Sequence, residues 1–305
     1  MLEINDSNMR RYQAYGVSLC TDLELRDRLV ETEDGRVPVT VVARSRQRDL
    51  GSLKQVTPPL QGHGRDFFIL TDRQFAPSSA GQNWCFQVKD IARFYWTGGE
   101  ARIEYEPLEG ASEDLLAFWL VHIFLPLWFT LEGTYELLHA CAVEIGGKTA
   151  LFMAPSMGGK STLTNYFIGK GHALVSDDKI AVIKEHGRFL AVPSHPNHRP
   201  YRKFEDLGNR VDKFASKASP IGSGFYLRRA EPGAPVEVNE IEGHRKFAVM
   251  RPGYLFDFDF LKKKRLEFLA DMASKVPFFE LSMPWSLERL DDVYVAVCNQ
   301  YRTGG

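Results

Sequence analysis

Lys160 and Ser161 stand near the end of a run, Ala154-Pro-Ser-Met-Gly-Gly-Lys-Ser-Thr162, whose residue types suit a polyphosphate. A loop that enters a helix leaves several backbone N–H groups without partners, and the helix dipole adds positive partial charge at the same end. In that setting Lys160 reaches the outer phosphates and Ser161 offers its hydroxyl to a magnesium ion. Gly158 and Gly159 let the backbone come close without a Cβ in the way. The expected phosphate site is therefore Ala154, Pro155, Ser156, Met157, Gly158, Gly159, Lys160, Ser161 and Thr162. The pattern G-x-x-x-x-G-K-[ST] has glycine where this chain has Ala154, a departure that matters if φ there is positive.

Asp177 and Asp178 supply the second element of chemistry. They end an apolar run, Ala173-Leu-Val175, which is how a metal-binding acid is commonly placed beside a phosphate loop. Magnesium keeps much of its water, so Ser161 and one carboxylate suffice as protein ligands. The other carboxylate is then free, and as the less compensated of two adjacent acids it should have a raised pKa and could take a proton from an attacking hydroxyl. The bland alternative is two surface acids capping a turn. His139 lies upstream on the strand leading to the loop, and taken alone it is a structural histidine.

Positioning these groups requires a particular order of elements. Thr149-Ala-Leu-Phe-Met153 reads as a buried strand, and Leu163-Thr-Asn-Tyr-Phe-Ile168 continues at helical spacing to Gly169 and Gly171, giving strand, loop, helix. Leu138 to Ile145, the turn Gly146-Gly147 and Lys148 to Met153 form a hairpin that delivers the chain into the loop. Gly171 to Asp178 is a second strand, and Lys179 to Lys184 with Phe189 to Val192 form a further hairpin across His186-Gly187. Such frequent hairpins imply a mixed sheet flanked by helices. Pro193, Pro196, Pro200 and Pro220, with His195, His198, Arg199, Arg202 and Lys203, mark a long polar loop, either substrate-contacting or a solvated connection. Strand-like pieces return at Gly224 to Leu227 and Val236 to Asn239. The final helix is expected from Phe258 to about Lys275, with Lys262, Lys263, Lys264 and Arg265 on a charged outer face.

Ahead of this half, residues Tyr12 to about Glu109 form a β-rich module. Its strands are expected at Gly16–Cys20, Val37–Val42, Phe67–Leu70, Trp84–Val88, Arg93–Trp96 and Ala101–Tyr105, with turns at Asp34-Gly35 and Gly98-Gly99. Ser112 then caps a helix with Glu113 and Asp114 in its first turn. The run Leu115 to Leu131 is nearly all apolar, but it is short for a membrane span and contains His122 and Pro126. A buried helix, kinked or ended near Pro126, is expected. The domain boundary is placed at 111/112.

Bulk properties narrow the function classes. The 305 residues are 44% hydrophobic, enough for a sizeable core, and the formal net charge of −1 gives no electrostatic case for nucleic acid or a membrane as partner. Cys20, Cys85, Cys141 and Cys298 have no metal-ligand spacing, and the N-terminus lacks the features of a signal peptide. A reducing, cytoplasmic setting is expected.

Together, Leu138-His139, Ser156-Met-Gly-Gly-Lys-Ser161 and Gly171-His-Ala-Leu-Val-Ser-Asp-Asp178 resemble the catalytic core of the HPr kinase/phosphorylase family. The resemblance covers about residues 137 to 185. The opening Tyr12-Gln-Ala-Tyr-Gly-Val-Ser18 and the β-rich module look more like HPr-kinase-related proteins found with lasso-peptide biosynthesis, which phosphorylate a peptide serine. The resemblance implies an α/β fold of the type shared with phosphoenolpyruvate carboxykinase: a P-loop kinase core with a mixed sheet over 112–305, preceded by the β-rich N-terminal module over 1–111. It implies ATP and Mg2+ as cofactors and a homo-oligomer as an allowed state. Of the site residues, Lys160 would stabilise the transferring phosphoryl group and Ser161 would bind the metal. Asp177 and Asp178 would divide base and metal duties, with Asp177 favoured as base and Asp178 as metal ligand, and His139 would lie near the transferred phosphate. Ala154, Met157 and Ala140 replace glycines of the family, and its Glu-x-Arg-Gly signature has only Glu240-Ile-Glu-Gly243 as a counterpart. Three activities follow as expectations: an ATP-dependent kinase of a serine in a peptide or protein, a kinase of a small-molecule hydroxyl, or a nucleotide-binding regulatory module without transfer.

Overall fold

The strand Lys148–Met153 is apolar from Thr149 onward because both of its faces are covered. Leu151 and Met153 join a core with Val175, Met250, Leu269, Met272 and Phe278. Ala150 and Phe152 join an opposite core with Leu163, Phe167, Val293 and Val297. The alternation follows from the period of two along a strand. One face therefore holds the helices Lys160–Gly169 and Leu290–Arg302, and the other holds Arg245–Met250 and Lys262–Lys275.

The computed structural model describes residues 9–33, 38–43, 52–199 and 205–302. They fall into two units, Met1–Thr134 with Tyr201–Gly208, and Tyr135–Pro200 with Asn209–Gly305. Asp34-Gly35, Val37, Pro200, Arg202 and Lys203 lie outside the described residues.

In the second unit Asn197–His198 pairs separately with Asn209–Arg210, and nine of the described strands form a mixed sheet. Its order is Glu136–Leu138, Ile180–Glu185, Arg188–Val192, Ser219–Ala230, Lys148–Met153, Cys141–Ile145, Leu174–Ser176, and Phe278–Pro284 pairs with both Ser219–Ala230 and Glu237–Glu240. Lys148–Met153 and Phe278–Pro284 run parallel to Ser219–Ala230, whereas the hairpins are antiparallel. The turn Gly146-Gly147 has φ of 56° and 76°, and Ile145 pairs directly with Lys148.

Three expectations are corrected here. Leu138 to Ile145 is two strands, because the His139 N–H leaves the sheet and donates to Gly253 O at 2.5 Å. Lys262–Lys275 is not the last helix: the strand Phe278–Pro284 and the amphipathic helix Leu290–Arg302 follow, the latter burying Leu290, Val293 and Val297. Nor is Arg265 on a charged outer face. It is buried, stacks 4.3 Å from the Tyr254 ring centroid, lies 3.8 Å from Glu136 and donates to Phe256 O.

The first unit contains a ten-stranded sheet among its described residues, running from Val30–Glu31 through Arg10–Ala14, Val17–Thr21 and Pro38–Ala43 to Arg102–Pro107 and onward through hairpins to Lys54–Gln55. Ser112 caps the following helix by accepting from the Leu115 N–H. That helix does not end at Pro126. A π-helical stretch, Trp119–Phe124, precedes the proline, and α-helix resumes over Leu125–Leu131. A widened turn is one of the local adjustments that accommodate the missing N–H of a proline. Glu113–Leu131 is long and apolar enough to cross a membrane, yet 89% of its apolar window is buried within the protein. Phe124 stacks on Phe94 at 4.6 Å and meets Trp96 at 5.5 Å, so the helix belongs with this sheet. The unit consequently extends to Thr134 and not to 111.

Phe124→Ala removes the ring at the centre of this aromatic cluster. Thermal unfolding should show a loss of about 3–5 kcal/mol, the usual cost of deleting a fully buried phenylalanine.

Candidate phosphate-transfer site

The loop 154–159 connects the strand Lys148–Met153 to the helix Lys160–Gly169. Ala154 is not among the residues with positive φ, so its methyl group does not strain the backbone. The glycine requirement has moved to Gly158, where an added Cβ would lie 2.6 Å from the Ala154 Cβ and 2.9 Å from Pro155 O. Gly158 N–H donates to Pro155 O at 3.1 Å, closing the loop. Met157 takes φ of 65° with its side chain in solvent, and Gly159 at φ of 88° starts the helix. Lys160 is buried and its Nζ donates to Ala154 O at 2.7 Å and Pro155 O at 3.3 Å. A bound phosphate would take over these donors.

The helix behind the loop is fixed at both ends of its buried face. Leu163 and Phe167 enter the core, and after Gly171 turns the chain, His172 Nδ1 lies 2.9 Å from Glu144 O and its Nε2 3.1 Å from the Tyr294 hydroxyl. Gly171-His172 therefore anchors the helix to its strand.

The two acids diverge. Asp177 is 2% exposed, with Oδ2 accepting from the Arg199 N–H at 2.6 Å and 3.2 Å from His198 Nδ1. Its Oδ1 accepts from the Cys141 thiol at 3.2 Å, and that sulfur is 4.0 Å from the Ser161 hydroxyl oxygen. Burial alone would raise the Asp177 carboxyl, but the His198 contact, the Arg199 amide and the thiol together hold it below the ordinary range. Burial and the neighbouring Asp177 charge push the Cys141 thiol well above its ordinary value, so it is a neutral donor and not a nucleophile.

Asp178 faces the other way. Its side chain is 18% exposed, and Oδ1 lies 3.1 Å from His139 Nδ1, with Lys179 Nζ 4.0 Å from Oδ2. Its φ is 102°, outside the usual left-handed region, and such a conformation persists only where the surroundings impose it. The Ser176 hydroxyl, which donates to Lys179 O at 2.6 Å, spans this turn. Against the expectation of Asp177 as base stands its environment: it is enclosed, its pKa is lowered and both of its oxygens already accept from donors.

The polar segment after Pro193 is not a solvated connection over its described part. Ser194, His195, Asn197, His198 and Arg199 are all buried, drawn in by Asp177. His195 Nδ1 accepts from the Asn197 N–H, and burial pushes its pKa down to about 4. Tyr254, which bridges to Leu138, lines a cavity of about 660 Å³ together with Phe247, Arg251, Asp257, Lys262 and Leu266, and the intervening Gly253 receives the His139 N–H.

The donor set fits the implied cofactors. Loop amides and Lys160 suit phosphate oxygens, and Ser161 with a nearby carboxylate offers the hard oxygen atoms that magnesium takes. Among the described residues no group of three His, Cys, Asp or Glu side chains forms a protein-only metal cage. Sequence reasoning gave no role to Cys141 and placed His198 and Arg199 only in a polar loop, either substrate-contacting or solvated; nothing local in the sequence pointed to their contact with Asp177.

No family model and no curated protein matches this chain. Among solved structures, the HPr(Ser) kinase/phosphatase from Coxiella burnetii is similar over 56% of this chain and 99% of that chain, at 14% identity and a TM-score of 0.34. At that score the two backbones share only part of their course.

Two outcomes test this geometry. Asp177→Asn replaces an acceptor by an amide that cannot satisfy all its donors, and should lower stability by about 3 kcal/mol in thermal unfolding. His195 has a folded pKa depressed from 6.5 to about 4. Between those values the unfolded chain binds a proton that the folded one does not, so stability falls as pH falls, by about 1.4 kcal/mol per pH unit. His195→Gln should flatten the stability profile in that window.

Proposed function

We propose that this chain is an ATP-dependent phosphotransferase that moves the γ-phosphoryl group of ATP to a serine hydroxyl of a peptide or protein. The observation that carries the reading is the division of the paired acids. One is sealed behind the Cys141 thiol, whose sulfur lies 4.0 Å from the loop serine's hydroxyl, and the other is partly exposed beside His139. Opposite directions are what a strand gives any adjacent pair, but two plain turn-capping acids would not need one of them buried against Cys141, His198 and the Arg199 N–H.

Bound ATP with magnesium would supply the transferable phosphoryl group and neutralise its charge. The chain's own residues then have distinct tasks. The amides of residues 157–161 and Lys160 hold the polyphosphate, and Ser161 offers its hydroxyl to the metal. Asp177, ionised and joined to the Ser161 side through Cys141, supplies fixed negative charge toward the metal. Asp178 accepts the proton of the incoming hydroxyl, and His139 fixes the carboxylate and shares that proton. Little covalent work falls to the protein in such a transfer, so positioning and charge placement supply most of the rate.

The acceptor would enter along the cavity that Arg251 and Tyr254 line. Its lining is mixed in charge, with Arg251 and Lys262 beside Asp257, which suits a polar acceptor segment. The cavity's size also favours a second reading, a small-molecule hydroxyl as acceptor, because about 300–1,000 Å³ is the usual range for small-ligand sites.

Incubation with magnesium and γ-labelled ATP, together with serine peptides, free amino acids and sugars, separates the readings by where the label goes. Asp178→Asn should reduce transfer about 10²- to 10⁴-fold, the usual contribution of a general base, while nucleotide affinity stays within a few-fold of the parent. Normal transfer by this variant would remove the proposed role, and binding without transfer to any acceptor would favour a regulatory module.

A further inference from the structure

Immediately beyond the phosphate loop lies an apolar notch of about 160 Å³, walled by Gly159, Thr162, Met283, Trp285, Leu287 and Leu290. Its floor comes from the helix that begins in the loop, and its walls come from the end of the strand Phe278–Pro284 and the turn that follows. Trp285 is fixed in place: its backbone N–H donates to Ala230 O at 3.0 Å, and the Arg229 guanidinium lies 4.5 Å from the ring centroid. The notch nevertheless leaves large apolar groups in water, with Trp285 37% and Leu287 74% exposed. Gly159 is what brings it against the loop. A Cβ there would lie 2.7 Å from Met283 Cε and 3.3 Å from Trp285 Cζ3.

We propose that this notch receives the base of the nucleotide whose phosphates occupy the loop, which rests on the phosphate-transfer reading above. The lining suits a small, largely apolar group, and Gly159 and Thr162 place it at the first helical turn. A purine attached through its ribose to a polyphosphate held by Lys160 and Ser161 meets both conditions. Stacking on an aromatic ring is tolerant of base identity because every base has a π-face. The hydroxyls of Thr162 and Ser286 at the rim add little discrimination, so ATP and GTP should bind comparably, and the smaller pyrimidine nucleotides less tightly.

Calorimetric titration of the full chain with magnesium and either ATP or inorganic tripolyphosphate tests the proposal. ATP should bind the parent protein at least about tenfold more tightly than tripolyphosphate, the lower range expected for one stacked base. Trp285→Ala, and independently Leu287→Glu, should bring ATP affinity to within about threefold of tripolyphosphate. Tripolyphosphate affinity itself should not change, which also establishes that the variants fold. Equal affinities of the parent for the two ligands, or variants that keep the full ATP advantage, would overturn the base site while leaving the phosphate loop intact. Failure of the parent to bind either ligand would overturn the phosphate reading and this proposal with it. If Trp285→Ala binds neither, Leu287→Glu decides.

Discussion

The arrangement of the second unit depends on a single buried carboxylate. Asp177 ends the strand Leu174–Ser176, yet its oxygens are held by the Cys141 thiol from the neighbouring strand and by the Arg199 N–H and His198 from the segment after Pro193. An ionised carboxylate out of water is costly unless donors replace its hydration. Three elements distant in sequence must therefore meet at this point, and each is constrained by the meeting. Cys141 stays a neutral thiol, the polar segment 194–199 lies inside the protein, and His195 beside it remains neutral.

That constraint also explains Asp178. With Asp177 drawn inward, the next residue turns outward, and it does so at φ of 102°. Strain of this kind costs on the order of 1–3 kcal/mol and is retained where surrounding contacts impose it. Here the contacts are the Ser176 hydroxyl to Lys179 O and the approach of His139. Two adjacent acids thereby acquire different environments without needing different sequences around them. One carboxylate is enclosed among donors and the other is partly exposed beside His139.

Much of this was legible in the sequence where the signal is local. The strand-loop-helix order, the hairpin turns at Gly146-Gly147 and His186-Gly187, the Ser112 cap and the mixed character of the sheet all follow from short-range pattern. What was not legible depends on partners far away in the chain. His195, His198 and Arg199 look solvated because nothing near them announces Asp177. Arg265 follows three lysines and shares their helix, but Glu136 and Tyr254 place it in the core. The strand Phe278–Pro284 carries Glu280 and ends at a proline, and it is a strand because Ser219–Ala230 pairs with it in parallel. Trp285 follows from that strand, so the notch was hidden with it. The break at His139 was likewise invisible, since the Gly253 carbonyl that pulls its N–H out of the sheet is more than a hundred residues later.

The departures from the usual phosphate-loop pattern form one compensated set. Ala154 accepts a side chain because its φ is ordinary, but its methyl group then occupies the space that a Cβ at position 158 would need. Glycine is consequently obligatory at 158, one position later than the pattern places its flexibility. The sharp turn that remains falls on Met157, at φ of 65°. For a residue without a β-branch this is tolerable: relief of about 1–2 kcal/mol on replacement by glycine is offset by up to about 1 kcal/mol of added chain entropy in the unfolded state. Little thermodynamic pressure therefore exists to return glycine to 157. The exposed methionine and the missing first glycine thus leave Gly158 and Gly159 to carry the backbone into Lys160.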